Sequence, residues 1–217
     1  MLINIHTHSL NGRSIEVLNR TFNEPINGYF SFGIHPFESD SFAHFAHSFS
    51  EQLLDEHCIA VGEIGLDKLK GPAFSIQKNA FIEQLKIAEV HELPVILHCV
   101  HSWNEMKQIK RELIPKQPWI YHGFAKSSLL SDVLNEKVMI SIGAAILSNS
   151  KLQECISKIP NDQLFLETDD KSVTISEIYQ KVSELKKLTL PQLEELIEQN
   201  FKRVFTKWRT GLNEQNY

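Results

Sequence analysis

Leu2–Ile3–Asn4–Ile5–His6–Thr7–His8 opens the chain with a short apolar run that ends in two imidazoles. Side chains i and i+2 of a strand point to the same face. If Leu2–Ile5 is a buried strand, His6 and His8 therefore project together, and packing alone offers little reason to put them there. The same grammar recurs down the chain. Tyr29–Ile34 leads into His35, Ile59–Val61 into Glu63, and Val95–Leu97 into His98; Trp119–Tyr121 leads into His122, and Leu164–Leu166 into Glu167 and Asp169. Val138–Ile142 is a further apolar run. Near-continuous runs of this length suit strands of a parallel sheet covered on both faces.

Helical patterns lie between the runs. Phe42, Phe45, Phe49 and Leu53 recur three to four residues apart, as do Phe81, Leu85 and Ala88. Ser102–Trp103–Asn104–Glu105 reads as a capping box, with Trp103, Met106, Ile109 and Leu113 on one face behind it. Thr189–Leu190–Pro191–Gln192 is a second box, opening a helix with Leu193, Leu196, Ile197, Phe201, Val204, Phe205 and Trp208 as its stripe. Alternation of this kind means right-handed βαβ units. The expected fold is α/β, a TIM-type (β/α)8 barrel, distorted or with a reduced eighth strand. Seven strands are legible, and the eighth would have to fall in Asp170–Ile175. An open doubly wound sheet is the alternative, without a GxGxxG or P-loop motif to support it. Residues 1–217 are expected to form a single domain.

Composition narrows the function classes. Apolar residues make up 42% and charged residues 23% of the 217, as in ordinary globular proteins. The formal net charge is −5, so a broad basic face gripping nucleic acid by counterion release is not expected. Cys58, Cys99 and Cys155 form no CxxC pair and are odd in number, which suits reduced thiols in the cytoplasm. No apolar run approaches the roughly 20 residues that span a bilayer. The start has no basic region followed by a long apolar stretch, so neither a signal peptide nor a membrane partner is expected.

The polar residues that follow the runs would all sit at C-terminal strand ends, where barrel loops converge and catalytic groups collect. Neutral imidazoles and carboxylates are also the ligands that suit zinc or manganese. One such histidine alone is as readily structural as functional; six strand ends of the same kind point to a shared site. Glu63 sits in Val61–Gly62–Glu63–Ile64–Gly65–Leu66–Asp67, and a carboxylate on a buried strand needs a partner, often a metal. Glu167 and Asp169 share a face, and Glu167 could equally hydrogen-bond backbone. Cys99 adjoins His98 and should point into the barrel wall.

These residues, with Gly33–Ile34–His35–Pro36, Leu93–Pro94–Val95–Ile96–Leu97–His98–Cys99, Tyr121–His122–Gly123–Phe124 and Leu166–Glu167–Thr168–Asp169 in order along the chain, resemble the TatD family of metal-dependent hydrolases. Asn200–Phe201 also fits. The resemblance implies a distorted TIM barrel with one or two divalent ions (Mg, Mn or Zn). His6, His8 and Asp169 would bind one; His98 and His122 would bind the second, with Glu63 bridging. Glu63 and Asp169 become the catalytic candidates, Asp169 as proton acceptor. The implied activity is a phosphodiesterase or deoxyribonuclease acting on DNA ends; deacylation of misacylated tRNA is associated with relatives.

Two departures bear on substrate. The arginine common shortly after the fourth-strand histidine is absent from His98–Cys99–Val100–His101, and the usual serine–proline after Asp169 is replaced by Asp170–Lys171. His35, His101 and Lys126 are the candidate phosphate contacts in its place, although Lys126 could as well be a solvated helix-start residue. The missing arginine and the acidic charge keep a second reading open, hydrolysis of a small phosphoester, amide or ester. A third reading, a metal-binding scaffold with weakened catalysis, is opposed by the six intact ligand positions. The expected partner is DNA or a small phosphoester, and the chain is expected to act as a monomer.

Overall fold

The computed structural model describes residues 1–12, 14–22 and 24–209. Residues 210–217, the end of the span expected to form one domain, lie outside the described residues. Eight strands form one sheet in chain order: β1 Ile3–Thr7, β2 Ile15–Arg20, β3 Phe30–Phe32, β4 Cys58–Asp67, β5 Val95–Val100, β6 Trp119–Tyr121, β7 Met139–Ile142 and β8 Leu164–Leu166. The described pairings are parallel. β1 returns to β8 through one bridge, Thr7 to Asp169, so the sheet is a (β/α)8-type barrel with one unsealed seam. Strictly sequential strand order has no reversal point, which rules out the doubly wound alternative.

Chain contacts divide the molecule into two compact units. The first is Met1–Leu18 with Ile120–Val204; the second is Asn19–Trp119 with the residues from Phe205 onward. In the first, β1, β7 and β8 are buried along their whole length. They share their core with α6 Ile175–Lys186 and α7 Leu190–Val204, which bury Ile178, Tyr179, Leu193, Ile197 and Phe201. Two shorter helices, α4 Leu130–Asn135 and α5 Ser150–Cys155, also belong to it. The second unit is built on β4, whose ten residues are all buried. Around it lie α1 Phe42–Leu53, α2 Phe74–Val90 and α3 Trp103–Leu113. Phe49 and Leu53, Phe81 and Leu85, and Trp103, Met106 and Ile109 face inward as their spacing requires.

The eighth strand is not where the apolar pattern placed it. It is β2, Ile15–Arg20, between the first two runs. Glu16, Asn19 and Arg20 break its apolar run. Hydrogen bonds satisfy their polarity: Glu16 accepts the Asn11 and Gly12 amides, Asn19 Oδ1 accepts the Glu63 amide, and Arg20 donates to Glu24 O and Gln52 Oε1. Asp170–Ile175 instead runs up to a helix start. Thr174 and Glu177 form a reciprocal capping box that begins α6 at Ile175. No helix among the described residues separates β1 from β2 or β2 from β3, so strand–helix alternation fails at the beginning of the chain.

The two expected caps also part company. Thr189 and Gln192 bond each other's backbone amides. Ser102 does not cap α3; its hydroxyl donates to Leu66 O at 2.7 Å. Among the described residues no helix is long and apolar enough to cross a membrane.

Candidate metal centre

In the first unit, the seam sets the geometry. Asp169 N donates to His6 O at 3.0 Å and His8 N donates to Asp169 O at 3.3 Å. The two backbone bonds lock Asp169 opposite the strand that carries both histidines. Asn4 and Thr168 clasp the same seam: Asn4 Nδ2 donates to Thr168 Oγ1 at 2.9 Å, and Thr168 N donates to Asn4 Oδ1 at 3.0 Å. Asp169 adopts φ +57°, a left-handed conformation that aspartate tolerates better than most residues. Its Oδ1 lies 3.5 Å from His6 Nε2 and 3.3 Å from His8 Nε2. His6 is fully buried, whereas the His8 side chain is 46% exposed, so the group opens to solvent on the His8 side. Burial pushes the Asp169 carboxyl upward, but hydrogen bonds from His6 and His8 and the charge of His122 outweigh it and hold it well below the usual carboxylate range.

His122 follows β6, with its ring 4.5 Å from that of His6. Its Nδ1 faces Glu167 Oε1 at 3.2 Å, and the same oxygen accepts the Gly123 amide at 2.6 Å. Glu167 therefore both bonds backbone and orients an imidazole, leaving the other ring nitrogen of His122 to face elsewhere. That is the arrangement by which an outer carboxylate fixes a ligating histidine.

The second unit holds its own group. Glu63 and His98 come from neighbouring strands whose backbones nearly touch: β4 Gly65 pairs with β5 His98, and a Cβ at Gly65 would meet His98 O at 2.0 Å. A side chain there would force the strands apart. Glu63 Oε1 reaches His98 Nδ1 at 2.5 Å and lies 3.4 Å from His35 Nε2. His35 is the N-cap of a 3-10 turn, Pro36–Ser41, and its Nδ1 accepts the Phe37 amide. In the neutral ring this places the proton on Nε2, aimed at Glu63 and at His98 Nδ1, 3.1 Å away. His35 thus enters the group as a donor.

Asp67 completes this group, and the strand-end reading assigned it no role. Its Oδ2 holds His98 Nε2 at 3.0 Å, and its Oδ1 accepts the Leu69 and Lys70 amides. Burial raises its carboxyl, and the His98 bond with those two amides brings it below its ordinary value. The signal was present, since Asp67 ends the same glycine-rich run that carries Glu63. Pairing it with His98 needed the neighbouring strand. Asp67→Asn keeps an acceptor for the two amides but loses the charge behind His98. It is expected to cost about 10–100-fold in kcat/KM and in metal affinity, read from steady-state kinetics and metal titration. Unchanged values would remove Asp67 from the site.

His101 and Lys126 are exposed. His101 adopts φ +53° just past β5, and Lys126 is the N-cap residue of a 3-10 turn, Ser127–Leu129. Among the described residues neither is hydrogen-bonded or ion-paired to either group. Cys99 is buried, as expected of a wall residue, with Sγ beside Ser102 Oγ.

The donor chemistry fits divalent cations. His6, His8 and Asp169 bring one potential ligand atom each within 4.8 Å of one another, and Glu63 and His98 bring theirs equally close, with His35 beside them as a donor. Nitrogen and carboxylate oxygen in such sets suit zinc and manganese, and the carboxylates behind His98 and His122 are the outer partners that metal-bound imidazoles usually have.

A family model described as TatD related DNase matches residues 2–206. The chain belongs to the TatD-related DNase family. Within the family's reach, it is 28% identical over 169 residues to the uncharacterized metal-dependent hydrolase YabD of Bacillus subtilis, covering 69% of this chain and 66% of that protein. It is 32% identical over 146 residues to the 3'-5' ssDNA/RNA exonuclease TatD of Dickeya dadantii, covering 63% of this chain and 54% of that one. The chain thus spans between about half and two thirds of the length of these curated TatD relatives. The crystal structure of YjjV, a TatD homolog from Escherichia coli, shares the fold with a TM-score of 0.73 at 24% identity over 82% of this chain and 76% of that one.

Proposed function

We propose that this TatD-family chain is a divalent-metal-dependent phosphodiesterase that hydrolyses the ends of DNA or RNA strands. The observation that carries the reading is the buried Glu63 carboxylate held against His98, with Asp67 fixing the far side of the same ring. A side chain so constrained is prepared for a cation rather than for packing. The proposed ligands are His6, His8, Asp169, Glu63, His98 and His122. Bound cations supply Lewis acidity and a water of lowered pKa. Asp169 is the proposed proton acceptor. His35 is the proposed phosphate contact: its Nε2–H, which faces Glu63 here, would turn to a phosphoryl oxygen once a cation holds the Glu63 carboxylate. A relative named as a single-strand exonuclease supports the substrate class.

The second reading, a small phosphoester, amide or ester, draws on the absence of arginine from His98–His101. Elemental analysis of the purified protein, followed by hydrolysis of single-stranded DNA and RNA and of a panel of small esters and amides, separates the two. Chelation is expected to abolish oligonucleotide turnover, and manganese or magnesium to restore it. At a hundredfold excess over its Kd, the metal should raise the melting temperature by about 5–10 °C. Turnover of small esters alone would overturn the nucleic-acid reading, and chelator-resistant turnover would overturn the metal-dependent one.

A further inference from the structure

We propose that Phe37 and Lys70 form a platform for the nucleobase of a strand's terminal nucleotide, directly beside the His35–Glu63–His98 group. The proposal rests on the phosphodiesterase reading and adds which part of the substrate lies next to those side chains. Phe37 is 40% exposed, yet its ring lies 4.3 Å from the His35 ring and 5.7 Å from the His98 ring. A single exposed apolar side chain is ordinary on a protein surface; what sets Phe37 apart is its place against two imidazoles of the group and beside a lysine. Lys70 Nζ lies 5.7 Å from the Phe37 ring centre. Among the described residues Lys70 forms no ion pair, whereas nearby Lys68 is bound to Glu105.

The backbone beneath this pair is held firmly. Asp67 Oδ1 accepts the Lys70 amide, and Gln77 Nε2 donates to Lys70 O and Pro72 O. Gly71, at φ +90°, packs so closely on the preceding turn that a Cβ would meet Pro36 O at 2.9 Å and Phe37 Cα at 3.2 Å. The aromatic and the cation are therefore placed together by backbone contacts rather than by their own weak attraction. An aromatic face next to a mobile cation is the usual surface for single-stranded nucleic acid: the base stacks and the cation meets a phosphate. Stacking tolerates any base, so the platform selects an unpaired nucleotide rather than a sequence. Lys70 also supplies a positive charge near a site where His98–His101, at the end of β5, carries no arginine.

The test is equilibrium binding of a phosphorothioate single-stranded oligonucleotide, intact or with an abasic terminal residue, to the manganese-loaded protein by fluorescence anisotropy. The wild type is expected to prefer the intact strand about tenfold. Phe37→Ala should erase that preference by weakening the intact strand only, and Phe37→Trp should keep or increase it. Lys70→Gln should weaken both strands alike and reduce the slope of affinity against salt by about 1. Equal preference in the wild type and Phe37→Ala, or a loss that strikes both strands equally in Phe37→Ala, overturns the platform. Turnover of a normal oligonucleotide by the wild type is scored separately. Turnover without a Phe37-dependent preference leaves the phosphodiesterase reading standing and removes the platform; a preference without turnover does the reverse.

Discussion

Glu63→Ala is expected to lower metal-dependent turnover by about a thousandfold, equivalent to ~4 kcal/mol of transition-state stabilisation. The size follows from position. One carboxylate oxygen meets both His98 and His35, so truncation removes a proposed ligand and leaves two imidazoles without the acceptor that orders them. The fold should survive, because the backbone of residue 63 is anchored independently: its amide donates to Asn19 Oδ1 at 3.0 Å. Glu63→Gln is the sharper variant. It preserves volume and offers a neutral amide, so it should lose metal and activity while melting near the wild-type temperature. Manganese- or magnesium-dependent activity retained in both variants would remove Glu63 from the ligand set.

Asp169→Ala should reduce turnover by about 10²–10⁴-fold, since it deletes a proposed ligand and the proposed proton acceptor together. Asp169→Asn separates charge from shape, as asparagine also accepts the left-handed backbone at this position. It carries a pH signature as well. The Asp169 carboxyl titrates lower in the folded protein than its unfolded value of about 3.9. A group of that kind adds stability that is complete above the unfolded pKa and is lost as pH falls through the folded one. The chelated wild type should therefore lose melting temperature on acidification below about pH 4, and Asp169→Asn should flatten that decline. Parallel acid melting curves for the two proteins would show that the His6–His8–Asp169 contact contributes nothing to stability.

Much of this molecule can be read along the chain. The runs at Leu2, Tyr29, Ile59, Val95, Trp119, Val138 and Leu164 hold strands because their residues are buried on both faces, and burial on both faces writes itself as continuous apolarity. The rim residues are legible for a related reason: a histidine or carboxylate just past such a run has no packing role to hide behind. Most of the stripes of α1, α2, α3 and α7 follow from helical periodicity, but Phe45 and Leu113 of the expected stripes are exposed, and Phe205 and Trp208 lie past the end of α7 at Val204.

What escaped the linear reading depends on partners far away in sequence. β2 is polar at Asn19 and Arg20 because the Glu63 amide and Gln52, tens of residues on, satisfy those groups, and no local pattern announces that. Ser102 looks like a cap until Leu66 O, 36 residues earlier, takes its hydroxyl. Asp67 becomes a positioning group only because parallel pairing sets β5 beside β4 and brings His98 Nε2 to its carboxylate. Sequence alone therefore nominated the candidate metal ligands, since burial pattern and side-chain chemistry are local properties. Tertiary structure alone decided which atom of each faces its neighbours, because that follows from strand register and from hydrogen bonds that close over tens of residues.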